Sequence, residues 1–259
     1  MQQGQKAYEV MILAGHSREP TLLSVETGEP RKALVRIRGH SMLSYVVNAL
    51  RDSGCMRRLV LVGISSGDVP DLRAGCPVAH LSDRHDIVDN ILAAIGALDT
   101  PDRALMCSTD IPLLTPEAVR DFVTRCEESG ADFCYAIVSR EVMEARFPGS
   151  GRSFRPLVDG AFAGGDLSMI DPDVVLRNVD FARILTARRK STWRLVKALG
   201  FGIILRHLTH CLHIRDAERR AGKILGCSCR AIISPYAELA MDVDKPHQLQ
   251  LVREAMEER

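Results

Sequence analysis

Ala104-Leu-Met-Cys-Ser108-Thr-Asp110-Ile-Pro112-Leu-Leu-Thr-Pro116 runs from a short apolar segment into a carboxylate, a proline and a helix start. An apolar run of this length suits a strand covered on both faces, as in a parallel sheet. Thr115 before Pro116 reads as an N-cap followed by a helix-initial proline, opening a helix to about Glu128. On either side the same alternation recurs. Val10–Ala14, Arg58–Gly63 and Asp132–Val138 read as strands, the first stopped by Gly15. Ser41–Leu50 and Ile87–Leu98 carry apolar residues at helical spacing. Strands alternating with helices imply right-handed βαβ units, so the fold class is α/β: a three-layer α/β/α sandwich with a mostly parallel, mixed sheet. Ligands of such sheets collect beyond the carboxyl ends of the strands, and Gly15 and Asp110 both lie just past such ends.

From Arg140 to Arg220 the alternation fades. Pro148–Gly151 reads as a loop, Ala161–Gly165 as the lead into another, and Val179–Leu199 as helical. Residues 140–230 are therefore expected to elaborate a single domain spanning 1–259. Near the end, Ala231–Ser234 precedes Met241-Asp-Val-Asp-Lys-Pro246, and Gln248–Glu257 closes as a helix.

Composition narrows the function. Lys and Arg total 34 against 33 Asp and Glu, which argues against a nucleic-acid partner but suits a small anion held by a few local cations. The polar start and the short Val10–Ala14 run fit neither a signal peptide nor a membrane span. Eight cysteines in 259 residues do not make a secreted disulfide framework, so reduced thiols and a cytoplasmic location are expected. His207, His210, Cys211, His213, Cys227 and Cys229 lack the paired Cys-x-x-Cys spacing of a zinc knuckle. There is no full P-loop or complete dinucleotide glycine fingerprint.

Leu13-Ala-Gly-His-Ser-Arg18, followed by Lys32-Ala-Leu34, Gly39 and Met42, resembles the opening of the GT-A-type nucleotidyltransferases, and within them the MobA-like group. The resemblance implies a turn formed by Leu13, Ala14, Gly15 and His16 around a triphosphate, with Lys32 contacting the phosphates. His16 stands where the family has a second glycine. Backbone N–H groups near glycine can approach phosphate oxygens closely, and a lysine supplies charge. Ser108-Thr-Asp110-Ile-Pro112 resembles the family's D-x-P segment, which implies that Asp110 holds a catalytic Mg²⁺ (or Mn²⁺). Hard oxygen ligands suit that ion. Asp242-Val-Asp244-Lys-Pro246 resembles the C-terminal D-x-D-x-P segment, implying that at least one of Asp242 and Asp244 completes the metal site.

Three weaker signals accompany these. Ser82–Asp86, ahead of the helix bearing Asn90, lies where relatives read the base, so Asp86 and Asn90 are candidate nucleotide contacts. Gly164-Gly165-Asp166 resembles a Gly-Gly loop that approaches the acceptor, and Arg188-Arg-Lys190 offers charge for an acceptor phosphate. The expectation is a metal-dependent transfer of NMP from an NTP to a small phosphorylated acceptor. Lys32 and Asp110 are its catalytic residues, and Gly164, Gly165 and Lys190 face the acceptor. A glycosyltransferase using a nucleotide sugar, or a non-catalytic nucleotide-binding protein, are the rival readings. The sequence leaves the base, the acceptor and the oligomeric state open.

Overall fold

The apolar runs become the middle of one sheet. A computed structural model describes residues 6–15, 20–100, 102–186 and 212–257. The strands are β1 (Tyr8–Leu13), the short ribbon β2 (Arg36–Ile37) and β3 (His40–Ser41), β4 (Met56–Val62), β5 (Val78–Leu81), β6 (Ala104–Cys107), β7 (Phe133–Ser139), β8 (Arg155–Leu157), β9 (Gly160–Ile170) and β10 (Cys229–Ser234). The main sheet has the order β5-β4-β1-β6-β9-β7-β10, with β8 paired to β9. β5, β4, β1 and β6 run parallel to one another, as do β7 and β10. β9 is antiparallel to both β6 and β7.

Helices cover both faces because successive strand residues point to opposite sides. Val10 and Ile12 pack into the larger core with residues of α2 (Met42–Asp52), α4 (Pro116–Ser129) and the last helix, α9 (Pro246–Glu257). Met11 joins Val60, Val62 and, from α3 (Ile87–Ile95), Ala94 and Ile95 in a second core. This is the expected three-layer arrangement. Thr115 caps α4 by accepting the Ala118 N–H, with Pro116 at the first turn. The remaining helices are α1 (Leu22–Thr27), α5 (Arg140–Arg146), α6 (Pro172–Arg177), α7 (Val179–Thr186) and α8 (Ile214–Leu225). The part of the expected Val179–Leu199 helix beyond Thr186 lies outside the described residues. Among the described residues, no helix is long and apolar enough to cross a membrane.

The structure departs from the sequence reading at two places. The edge strand β5 does not stand out as a period of its own, because it is short and only half-buried. Ala161–Gly165 does not lead into a loop but forms the interior of β9, the longest strand of the sheet. Hydrogen bonding on both sides overrides the loop propensity of the glycines. The register of β9 against β7 slips between Tyr135 and Ile137, so residues 165–167 bulge opposite Ala136. A β-carbon on Gly165 would lie 2.9 Å from Ala136 Cβ and 3.1 Å from the Leu239 carbonyl oxygen. Only glycine fits that crossing.

Candidate active site

Chain segments remote in sequence bring three carboxylates together past the end of β6. Asp110 follows β6 by three residues, and its carbonyl accepts the Val243 N–H at 2.9 Å. That bond stitches the C-terminal segment to the β6 loop, with Asp242 and Asp244 flanking the buried Val243. One oxygen from each of Asp110, Asp242 and Asp244 lies within 4.8 Å of the other two.

Lys32 stands on a single 3-10 turn, Lys32–Leu34. The preceding Arg31 anchors the turn by pairing with Asp68 at 2.6 Å, and Asp68 is held in turn by the N–H and hydroxyl of Ser65. So placed, the Lys32 ammonium donates to both Asp110 and Asp244. Burial works against its charge, but the two aspartates outweigh burial and raise its pKa above the usual lysine value. The Ser108 hydroxyl donates to the other oxygen of Asp110.

The two C-terminal acids have different partners. Asp242 is only 12% exposed and pairs with Arg152, whose other terminal nitrogen donates to the Gly164 carbonyl at 3.0 Å. Asp244 is 59% exposed and pairs with Lys32. The Gln248 side chain accepts the N–H groups of Asp244 and Lys245, both at 2.9 Å, and donates to the Ser150 carbonyl at 3.2 Å. The start of α9 and the loop before β8 are thereby tied together.

Asp166 emerges from the bulge of β9 beside this cluster, its carbonyl accepting the Ser108 N–H at 3.0 Å. Burial, and then the nearby Asp110 charge, push its pKa up to about 7. It lines a cleft of about 300 Å³ with Leu13, Ser108, Tyr135 and Ser168.

Carboxylate oxygens from three aspartates form a hard donor set suited to Mg²⁺ or Mn²⁺. A cation, the Lys32 ammonium, already spans two of them. The residues present fit a divalent ion held by Asp110 and Asp244, with Asp242 adjoining.

Ala14 and Gly15 follow directly on β1. Ala14 N–H bonds to the Val62 carbonyl at 2.8 Å, which aligns the ends of β1 and β4. A β-carbon on Gly15 would meet Asn90 Nδ2 at 3.2 Å and Asp83 Oδ1 at 3.3 Å. The buried Asn90 donates to Asp83 at 2.8 Å and accepts the Arg84 N–H at 2.7 Å, so it shapes the 83–85 turn next to Gly15. Asp86 caps α3 by accepting the N–H groups of Val88 and Asp89.

Lys32, Asp110, Asp242 and Asp244 thus converge, with Leu13 facing the adjoining cleft, and Gly15 and Asn90 adjoin one another. Gly164 and Gly165 sit in β9 rather than a loop, while His16 and Lys190 lie outside the described residues. Sequence reasoning singled out neither Arg152 nor Gln248, and gave no individual role to Ser108, Asp83 or Asp166 inside the segments it quoted. Asp166 directly follows the glycine pair it did select, but Arg152 carries no local signal beyond the Gly149-Ser150-Gly151 turn.

A mostly parallel sheet with a carboxylate past its central strand and a lysine-bearing turn beyond the first strand belongs to the nucleotidyltransferase class of α/β enzymes. The chain is a member of the MobA-like NTP transferase domain family, which it matches over residues 10–213. A hypothetical transferase from Thermus thermophilus is 34% identical, with 94% of this chain and 99% of that one covered and a TM-score of 0.82. The CTP complex of CMP:2-keto-3-deoxy-manno-octonic acid synthetase shares the fold at 15% identity, 98% and 99% coverage and a TM-score of 0.59. The 2-C-methyl-D-erythritol 4-phosphate cytidylyltransferase of Thermus thermophilus does so at 12% identity, 98% and 100% coverage and a TM-score of 0.56. The bifunctional protein GlmU of Azorhizobium caulinodans is 35% identical over 95 residues, which is 35% of this chain and 21% of that relative's length.

Proposed function

We propose that the protein transfers a nucleoside monophosphate from an NTP to a small phosphorylated acceptor, releasing pyrophosphate, with a divalent metal held by Asp110 and Asp244. The observation that carries this reading is the convergence of the three aspartates with Lys32 at the strand ends. An acceptor phosphate is already an ionised nucleophile, so alignment and charge neutralisation suffice and no covalent enzyme intermediate is needed. A bound Mg²⁺ or Mn²⁺ would supply Lewis-acid neutralisation of phosphate charge. Lys32 would turn from its carboxylate partners toward the phosphates of the NTP. The turn at Leu13, Ala14, Gly15 and His16 would present backbone N–H groups to those phosphates, and the 83–85 turn, held by Asn90, would border the nucleoside. Asp86 would act there as the cap that fixes α3. On the other side, Gly164, Gly165 and Lys190 would face the acceptor, as the elaboration over 140–230 of a single domain. The free thiols of Cys76, Cys107, Cys126, Cys134, Cys227 and Cys229 support a cytoplasmic setting.

The test is pyrophosphate release from each of the four NTPs with Mg²⁺ and a panel of phosphorylated metabolites. Release that requires both an NTP and one acceptor, and that is lost in Asp110→Asn, is the expected result. Binding of Mg·NTP without acceptor-dependent release under any combination would overturn the transferase reading.

A further inference from the structure

Three buried side-chain atoms have no hydrogen-bond partner among the described residues: Ser150 Oγ, Arg152 Nε and Asp166 Oδ2. Buried polar atoms are rarely left unpaired, so each calls for an explanation. Two of the three belong to charged groups at the edge of the carboxylate cluster. Arg152 is held there by Asp242 and by the carbonyl of Gly164, two residues before Asp166. Asp166 is placed by the bulge of β9, a device that recurs beside active sites because it re-aims a side chain. The bulge in turn depends on Gly165, which no larger residue could replace without moving Ala136 or the Leu239 backbone.

An ionised Asp166 oxygen can only accept, and a hydroxyl is the smallest ligand group that donates to it from the cleft Asp166 lines. Around Asp166 the cleft adds the Ser108 and Ser168 hydroxyls and the Tyr135 phenol, set among the apolar walls of Leu13, Ile87 and Leu167. That lining suits a carbon skeleton carrying hydroxyls and would be a poor cradle for a second phosphate, because a carboxylate stands at its floor.

We propose that Asp166, supported by Arg152, is a hydroxyl-recognition subsite that selects a polyhydroxylated ligand, either a polyol-phosphate acceptor or the ribose of the NTP. The subsite rests on the transferase reading for its place in catalysis, but its binding chemistry is measured separately from turnover. Asp166→Asn keeps the shape of the side chain and removes its charge, so the variant is expected to fold.

The experiment is calorimetry on the wild type and on Asp166→Asn, with Mg²⁺ present. One arm titrates the four NTPs against their 2′,3′-dideoxy analogues. The other titrates glucose 1-phosphate, erythritol 4-phosphate and glycerol 3-phosphate against matching deoxy compounds, with a non-hydrolysable NTP analogue bound. In one arm the wild type should favour the hydroxylated probe by tenfold or more, and Asp166→Asn should lose that preference while binding the deoxy probe as before. The arm that responds identifies whether ribose or acceptor is the source of the hydroxyl. Equal affinities for hydroxylated and deoxy probes in both arms, or a preference that Asp166→Asn retains, would overturn the subsite. Absence of pyrophosphate release alongside intact hydroxyl discrimination would count against the transferase reading alone.

Discussion

Lys32 bridges Asp110 and Asp244, so its ammonium stands where a cation held by those carboxylates would compete with it. Two effects of opposite sign follow for Lys32→Ala. NTP affinity should fall by about 1.5–3 kcal/mol through loss of a charge-assisted phosphate contact. Mn²⁺ affinity without nucleotide should rise, because two carboxylates lose their internal cation. Electron paramagnetic resonance of free Mn²⁺, with calorimetry for the NTP, reads both, and a fall in Mn²⁺ affinity would remove the competition. Asp242 and Asp244 should likewise separate. Asp242→Asn leaves the mostly buried Arg152 without its counter-charge, so a loss of about 3 kcal/mol of stability is expected. Asp244→Asn, at an exposed position, should leave Tm within a degree or two of wild type yet abolish pyrophosphate release. Equal Tm losses in the two variants would contradict the division of roles drawn from their partners.

At the scale of the element, β9 brings Asp166 beside the aspartate cluster. Its two glycines have different neighbours, so alanine should act differently at each. A β-carbon on Gly164 would come within 2.5 Å of the Tyr135 hydroxyl, the far end of a side chain that can swing aside. At Gly165 the obstacles are the Ala136 side chain and the backbone at Leu239, which cannot. Gly165→Ala should therefore lower stability by about 1–3 kcal/mol, the range for overpacking, and displace Asp166 with the bulge. Gly164→Ala should be nearly neutral in urea denaturation, and a ranking in the reverse order would show that the β9–β7 crossing is looser than its geometry. None of this was legible from Ala161–Gly165 alone. A glycine pair reads locally as a loop, and its place inside a strand depends on partners from β6 and β7 on either side.

For the whole molecule, the gathering of acids at the strand ends makes stability depend on pH. Asp166 titrates near 7 in the folded protein, against the usual 3.8, so the fold binds its proton more tightly than the unfolded chain does. Its contribution is fully present below about pH 4 and is lost as pH rises toward about 7, by an amount on the order of a few kcal/mol. In EDTA, the Tm of Asp166→Asn relative to wild type should therefore increase from pH 5 to pH 8. An unchanged difference would mean that Asp166 ionises freely in the fold.

The strand and helix alternation, the cap at Thr115, and the candidates Lys32, Asp110, Asp242 and Asp244 were all readable in one dimension. Each belongs to a short motif whose meaning lies in neighbouring residues: an apolar period, a cap before a proline, a carboxylate just past a strand. The pairing of Arg152 with Asp242 joins residues 90 positions apart, and the path of β9 between β6 and β7 depends on pairing with strands from two other parts of the chain. Such contacts leave no periodic trace, because they arise only when sheet order and packing have set the distances. Which acid faces Lys32, which faces Arg152, and that Asp166 enters the site at all were therefore decided by the tertiary structure, where burial and neighbouring charge, rather than local pattern, determine what each side chain can do.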